Sequence, residues 1–154
     1  MSFENQIESI LGSAEIQLSD ISPSDWNEKF RVMTSEVSPR TGKFSYTPYL
    51  KEVVNCLSQA DSCRIVSIMK GAQVGFSTGV IEAGIGWIIA ESPSNILFLT
   101  GHADLSEEAV TGKIDNLIDN TGIRHLIRAN TQRKRNTRTG DTNKAKEFAG
   151  GSLV

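Results

Sequence analysis

Lys70-Gly71-Ala72-Gln73-Val74-Gly75-Phe76-Ser77 follows Arg64-Ile65-Val66-Ser67-Ile68-Met69, a run whose β-branched content predicts a strand. It precedes Val80 to Ile89, apolar almost all round, as a helix buried inside a larger fold should be. Strand, glycine-containing turn and helix in this order are the setting of a phosphate-binding loop. There, successive backbone N–H groups and the positive end of the helix dipole converge on an anion. The common pattern is G-x-x-x-x-G-K-[ST]. The stretch keeps its length, its second glycine (Gly75) and its terminal hydroxyl (Ser77). Lys70 stands where the first glycine would be, and Phe76 stands where the lysine would be. A lysine stem is long enough for its ammonium to reach the phosphates from the opposite end of the loop, with the Ser77 hydroxyl still facing a magnesium ion. As a bare pattern the loop is weak, an ordinary strand-to-helix turn being the alternative. The flanking strand and helix favour the phosphate reading.

Working outward, Gly79, Gly84 and Gly86 each cost helix stability, so they are expected to permit close packing on a sheet. Asn95-Ile96-Leu97-Phe98-Leu99-Thr100 reads as a second, nearly continuously apolar strand, as central parallel strands do. Asp104 with Glu107 forms a capping box for a helix carrying Ala109, Ile114, Leu117 and Ile118. Strand, helix, strand, helix implies an α/β core over 63–154, a parallel sheet with flanking helices. Residues 1–62 read as a helical segment leading to the nucleotide pocket. Phe3, Ile7, Ile10 and Leu11 share one helical face. A second helix starts with Ser22 as N-cap, Pro23 at its first position and Asp25 three after the cap, with Trp26, Phe30, Met33 and Val37 as a buried stripe. After the loop Pro39–Lys43, a third opens at Thr47-Pro48 with Leu50, Val53, Val54 and Leu57 on its apolar face. At the other end, Gly150-Gly151-Ser152-Leu153-Val154 reads as a turn entering a strand. A half-made strand leaves its ladder partner unpaired, so truncation is expected.

The net charge of −2 gives no global sign of nucleic-acid binding, but its distribution is uneven. Residues 1–63 hold nine acidic and five basic residues, whereas Arg124 to Lys146 hold eight basic and one acidic. That asymmetry predicts a basic segment on an otherwise acidic domain. Cys56 and Cys63 lack a second ligand pair, so no disulfide framework or zinc site follows from them, and buried free thiols in a reducing compartment are the favoured reading. Gly79 to Ala90 is too short to span a bilayer and contains Glu82, and no basic start marks a signal peptide, so no membrane is expected.

The loop resembles the variant Walker A loop of lambda-type tailed-phage DNA-packaging terminase large subunits, whose lysine is likewise displaced to the front. Ser22-Pro23-Ser24-Asp25-Trp26 is similar to that family's first helix start. Pro39-x-x-Gly42-Lys43-Phe44, Thr47-Pro48-Tyr49-Leu50-Lys51-Glu52, Asn95-Ile96-Leu97-Phe98 and Phe148-x-Gly150-Gly151-Ser152-Leu153 also look like the family, in order along nearly the whole chain. The resemblance implies a P-loop NTPase that stops before the Walker B strand. It implies ATP and Mg2+ on Lys70, Gly71, Ala72, Gln73, Val74, Gly75, Phe76, Ser77 and Thr78, with Lys70 catalytic and Ser77 toward the metal. Double-stranded DNA, a small terminase subunit and the portal would be partners, in the host bacterial cytoplasm, with oligomerisation expected only of the full-length protein. Some members add a lysine after the loop glycine or serine. Here those positions are Phe76 and Thr78, which leaves Lys70 as the lysine near the phosphates.

Other residues carry paired readings. Tyr46 and Tyr49 precede the loop at a distance suited to stacking on adenine, or they pack at a helix start. Gln73 contacts phosphate or caps the turn. His102 and His125 read as loop and surface residues. Arg133, Lys134, Arg135 and Arg138, within the run from Arg124 to Lys146, either contact DNA phosphates or form a solvated face. One of Arg133, Lys134 and Arg135 could instead stabilise charge on ATP. The acids after Gly79 read mostly as helix surface or caps, and none forms an acidic pair ending an apolar strand. This stretch by itself is therefore expected to bind ATP without hydrolysing it. A helicase-like ATPase of the same fold and a non-catalytic prophage remnant are the competing readings.

Overall fold

The computed structural model describes residues 20–35, 41–58, 61–101, 109–129, 131–132, 138–139 and 145–154. The expected first helix (3–11), Val37, the capping box Asp104/Glu107, His102 and the basic triplet 133–135 lie outside them.

Helix α1 (Pro23–Phe30) begins as its sequence dictates. The Asp25 N–H donates to Ser22 Oγ at 3.2 Å, and proline fills the first turn, where no N–H is needed. Trp26 is buried, but the apolar stripe stops short, since Phe30 is 40 % exposed and Met33 belongs to a strand. The chain leaves the helix because Arg31 turns extended, its backbone carbonyl accepting from Phe44 N–H at 3.1 Å. Strand β1 (Val32–Met33) then pairs antiparallel with β2 (Gly42–Lys43). Helix α2 (Pro48–Asn55) buries Leu50 and Val54, although Thr47 makes no side-chain cap bond and Leu57 falls beyond the helix end.

The loop feeds one continuous helix. Its first part, Ser77–Glu82, is wound as a wider π turn, and α3 (Ala83–Glu91) continues it. Its all-round apolarity reflects burial of Ala83, Ile85, Trp87 and Ile89. The glycines serve helix packing rather than a sheet. A Cβ on Gly86 would stand 3.1 Å from Leu117 and 3.2 Å from Trp26, and one on Gly79 would stand 2.8 Å from Leu50. Beyond it lie a second π turn (Ala109–Ile114), helix α4 (Asp115–Thr121) and a short 3-10 turn (Ile123–Leu126). Trp26, Ile85, Trp87, Ile89, Ile118 and Phe148 form the centre of the core. Each such side chain contributes about 1.5–3 kcal/mol of burial.

The architecture is mixed α/β with small antiparallel ladders: β1–β2, β3 (Thr131–Gln132) with β4 (Arg138–Thr139), and β5 (Lys146–Phe148) with β6 (Gly151–Leu153). A full parallel sheet is not formed among the described residues. The parallel element is the bridge Ile96↔Leu153, with Ile96 N–H on Ser152 C=O at 2.7 Å and Val154 N–H on Ile96 C=O at 3.0 Å. Strand β6 has β5 on one edge and the Ile96 segment on the other. Arg64–Met69 joins no ladder among the described residues, and Ile65 and Met69 are exposed. Cys56 and Cys63 are free, but the former is half-buried and the latter exposed, contrary to the expected burial. No helix among the described residues is long and apolar enough to cross a membrane.

Candidate nucleotide-binding site

The turn from Lys70 to Ser77 is built by two left-handed backbone positions, Gln73 (φ 56°) and Gly75 (φ 76°). Gly75 supplies that conformation without a Cβ penalty, and Gln73 accepts it at a cost that strained functional loops commonly carry. Gly79 N–H then bonds Gly75 C=O at 2.7 Å, closing the first turn of the helix. Gly71, Ala72, Gln73, Gly75 and Ser77 are exposed, while Val74, Phe76 and Thr78 are half-buried. Helix-start N–H groups without intrahelical partners are therefore presented together with open backbone.

Lys70 and Phe76, the two departures from the common pattern, meet. The Lys70 ammonium lies 5.5 Å from the Phe76 ring centroid, close to the place where the usual loop lysine would start. Thr78 Oγ1 donates to Glu82 Oε1 at 3.3 Å, whereas Ser77 is exposed at the helix start. Among the described residues no cluster of three His, Cys, Asp or Glu side chains could hold a metal by itself. A magnesium ion needs no such cluster, since it keeps several waters and takes few protein ligands beside substrate phosphates.

Two cavities flank the loop. One, of about 440 Å³, is lined by Phe44, Tyr46, Leu50, Gly75, Thr78 and Gly79. The other, of about 340 Å³, is lined by Tyr49, Met69, Lys70, Val74 and Phe76. The two tyrosines differ. Tyr49 is exposed and its hydroxyl donates to Val74 C=O at 3.1 Å, a strut on the loop. The Tyr46 hydroxyl is buried with no hydrogen-bond partner among the described residues. Burial pushes its pKa well above the ordinary 10.0, Glu28 adding to the rise and Arg31 opposing it. Phe44 packs edge-on against Tyr46 at 4.8 Å.

Three residues escaped the sequence reading. Glu82 is not helix surface but buried, paired with the equally buried Arg31 at 2.5 Å. Lys113, exposed, lines a small cavity of about 60 Å³ with Ser77, Glu82 and Phe98, so Lys70 is not the sole lysine beside the loop helix. The basic run also loses members. Arg124 bonds Asp119 at 2.7 Å and Asp115 at 2.9 Å, and buried Lys146 bonds Asp115 at 2.9 Å. Those hydrogen bonds, that to Asp119 foremost, raise the Arg124 pKa, and the same guanidinium lowers that of Asp119. His125 is exposed, beside Gly122 C=O, as expected.

Neither a curated protein nor a solved structure gives a significant match. The family model of the phage terminase large subunit gpA ATPase domain matches residues 38–154, which include the loop, the smaller flanking cavity and the β5–β6 hairpin. The chain therefore belongs to the ATPase-domain family of the phage terminase large subunit gpA, the ATP-binding part of that DNA-packaging subunit.

Proposed function

We propose that the turn Lys70–Ser77 is the Walker A loop of a P-loop NTPase and seats the triphosphate of ATP. Gly71 to Gly75 supply backbone N–H groups, Lys70 supplies the ammonium, and Ser77 and Thr78 begin the helix. The observation that carries this reading is the Lys70 ammonium 5.5 Å from the Phe76 ring, because it accounts for both departures from the common pattern at once. Magnesium, when bound, would neutralise charge building on the phosphates, with Ser77 Oγ as the protein's contribution. The larger cavity offers the base a wall of Phe44 and Tyr46, and the Tyr46 hydroxyl, without a partner among the described residues, is a polar group suited to a ligand atom.

The chain by itself binds ATP without turning it over. Glu82 is engaged by Arg31 and Thr78, and Asp115 and Asp119 are engaged by Arg124, so none of these carboxylates is available to position an attacking water. In the intact terminase the loop would drive DNA packaging in the host cytoplasm with the small subunit and portal. Arg133, Lys134, Arg135 and Arg138 are the proposed contacts to DNA phosphates. Titration calorimetry with ATP and magnesium tests the central claim. Saturable one-site binding is expected, and its absence from the folded protein would remove the nucleotide reading.

A further inference from the structure

Arg31 sits where the first helix ends, and its guanidinium touches both walls of the larger cavity. On one side Nη1 donates to Thr78 C=O at 2.6 Å and Nη2 to Glu82 Oε2 at 2.5 Å, both on the π turn that follows the loop. On the other, its planar head lies 5.0 Å from the Phe44 ring centroid, and Phe44 in turn supports Tyr46. The Arg31 backbone carbonyl accepts from Phe44 N–H, so side chain and main chain hold the same wall. The chemistry of an arginine suits these contacts. The side chain stays charged when buried, presents a planar face for stacking and spreads several donors in fixed directions.

The energetics do not explain the arrangement as a stability device. Desolvating two charges costs several kcal/mol, and apolar residues of similar volume commonly serve as well or better. A π turn, moreover, is a less stable winding found preferentially at functional sites. The guanidinium grips this one at Thr78 and Glu82, one turn apart. What the ion pair supplies and an apolar pair would not is a directional link between loop helix and cavity wall.

We propose that Arg31 is a positioning residue that locks the phosphate loop to the base-side wall, so that the two halves of a nucleoside triphosphate are bound by one rigid unit. The inference rests on the nucleotide reading above and goes beyond it. Its signature is a split between whole ligand and part, because preorganising two subsites adds affinity only for a ligand spanning both.

The test compares ATP with inorganic tripolyphosphate, both as magnesium salts, on the full chain by calorimetry. The double variant Arg31→Met/Glu82→Leu replaces the pair with apolar side chains of similar size and is expected to keep the parent's unfolding temperature. Its ATP affinity should fall roughly tenfold or more, within the usual range of coupling between sites, while tripolyphosphate affinity stays unchanged. Equal ATP affinity in parent and folded variant overturns the proposal. So does an equal loss for both ligands, which would make Arg31 a support of the loop alone. Should the double variant not fold, Arg31→Lys carries the same test, since it keeps the charge but lacks the planar fork. A parent chain that binds tripolyphosphate but not ATP refutes the coupling while sparing the loop. One that binds neither removes the nucleotide reading and this inference together.

Discussion

The Lys70 ammonium and the Phe76 ring lie 5.5 Å apart across the mouth of the loop, joining the residue that replaces a glycine to the residue that replaces a lysine. Lys70→Ala should therefore remove about 1.5–3 kcal/mol of ATP affinity, the range for a hydrogen-bond partner bearing charge, without changing the unfolding temperature. Moving the charge back, as Lys70→Ala/Phe76→Lys, should restore much of the binding. Calorimetry finding equal affinity in parent and Lys70→Ala would refute the role of Lys70.

Asp115 holds Arg124 and Lys146 at once, and Lys146 is buried while Asp115 is a quarter exposed. The two ends of this pair should respond differently. Asp115→Ala removes the carboxylate that buried Lys146 bonds at 2.9 Å and is expected to cost about 3–5 kcal/mol in urea unfolding. Lys146→Met leaves Asp115 with Arg124 and fills the space, so its cost should be about 1.5 kcal/mol or less. Equal costs would contradict the geometry.

How much of this was legible in the sequence follows from the range of each signal. The helix start at Ser22-Pro23 and the loop-to-helix turn are local chemistry, and both stand where the residues place them. Arg31 and Glu82 are separated by 51 positions, and no periodicity announces their pairing. Arg124 and Lys146 read as part of a basic run because adjacency in sequence hides Asp115 and Asp119, which come from the preceding helix. The glycines of the loop helix signalled close approach but not what approaches. Helices α1, α2 and α4 do so, rather than a sheet. Strand partners are equally non-local: β6 is flanked by β5 and by the Ile96 segment, and its own residues do not announce the second of these.

Gly84 and Gly86 offer a paired test of that packing. A Cβ on Gly86 meets Trp26 and Leu117, both buried, whereas one on Gly84 meets the tip of exposed Leu57. Gly86→Ala should cost about 1–3 kcal/mol from overpacking. At Gly84 the leucine can swing away, so Gly84→Ala should gain up to about 1 kcal/mol from helix propensity. Thermal unfolding of the two variants would contradict the packing argument if they shifted alike.

If Arg133, Lys134 and Arg135 track a DNA backbone, binding should be insensitive to sequence and weaken steeply with salt. Neutralising all three should lower the slope of log affinity against log salt by about 2–3, near 0.9 for each phosphate that is no longer neutralised. An unchanged slope in fluorescence anisotropy, or no binding at low salt, would return the segment to a solvated face.

Tyr46 carries opposing consequences for stability and binding. Its buried hydroxyl has no partner among the described residues, and burial raises its pKa above the ordinary 10.0. A raised folded-state pKa means that ionisation is resisted in the native protein but not in the unfolded chain. The contribution to stability is therefore whole below pH 10 and is lost as pH rises through the alkaline range above it. Tyr46→Phe abolishes this titration and removes an unsatisfied buried oxygen, so the ligand-free variant should unfold about 1–3 kcal/mol higher with a flatter alkaline limb. If the hydroxyl serves a bound nucleotide, the same variant should bind ATP more weakly while leaving tripolyphosphate affinity unchanged. The comparison needs denaturant unfolding between pH 8 and 11 beside calorimetry at neutral pH. A more stable variant with full ATP affinity would leave Tyr46 as cavity wall alone, and a less stable one would show that its hydroxyl is satisfied in solution.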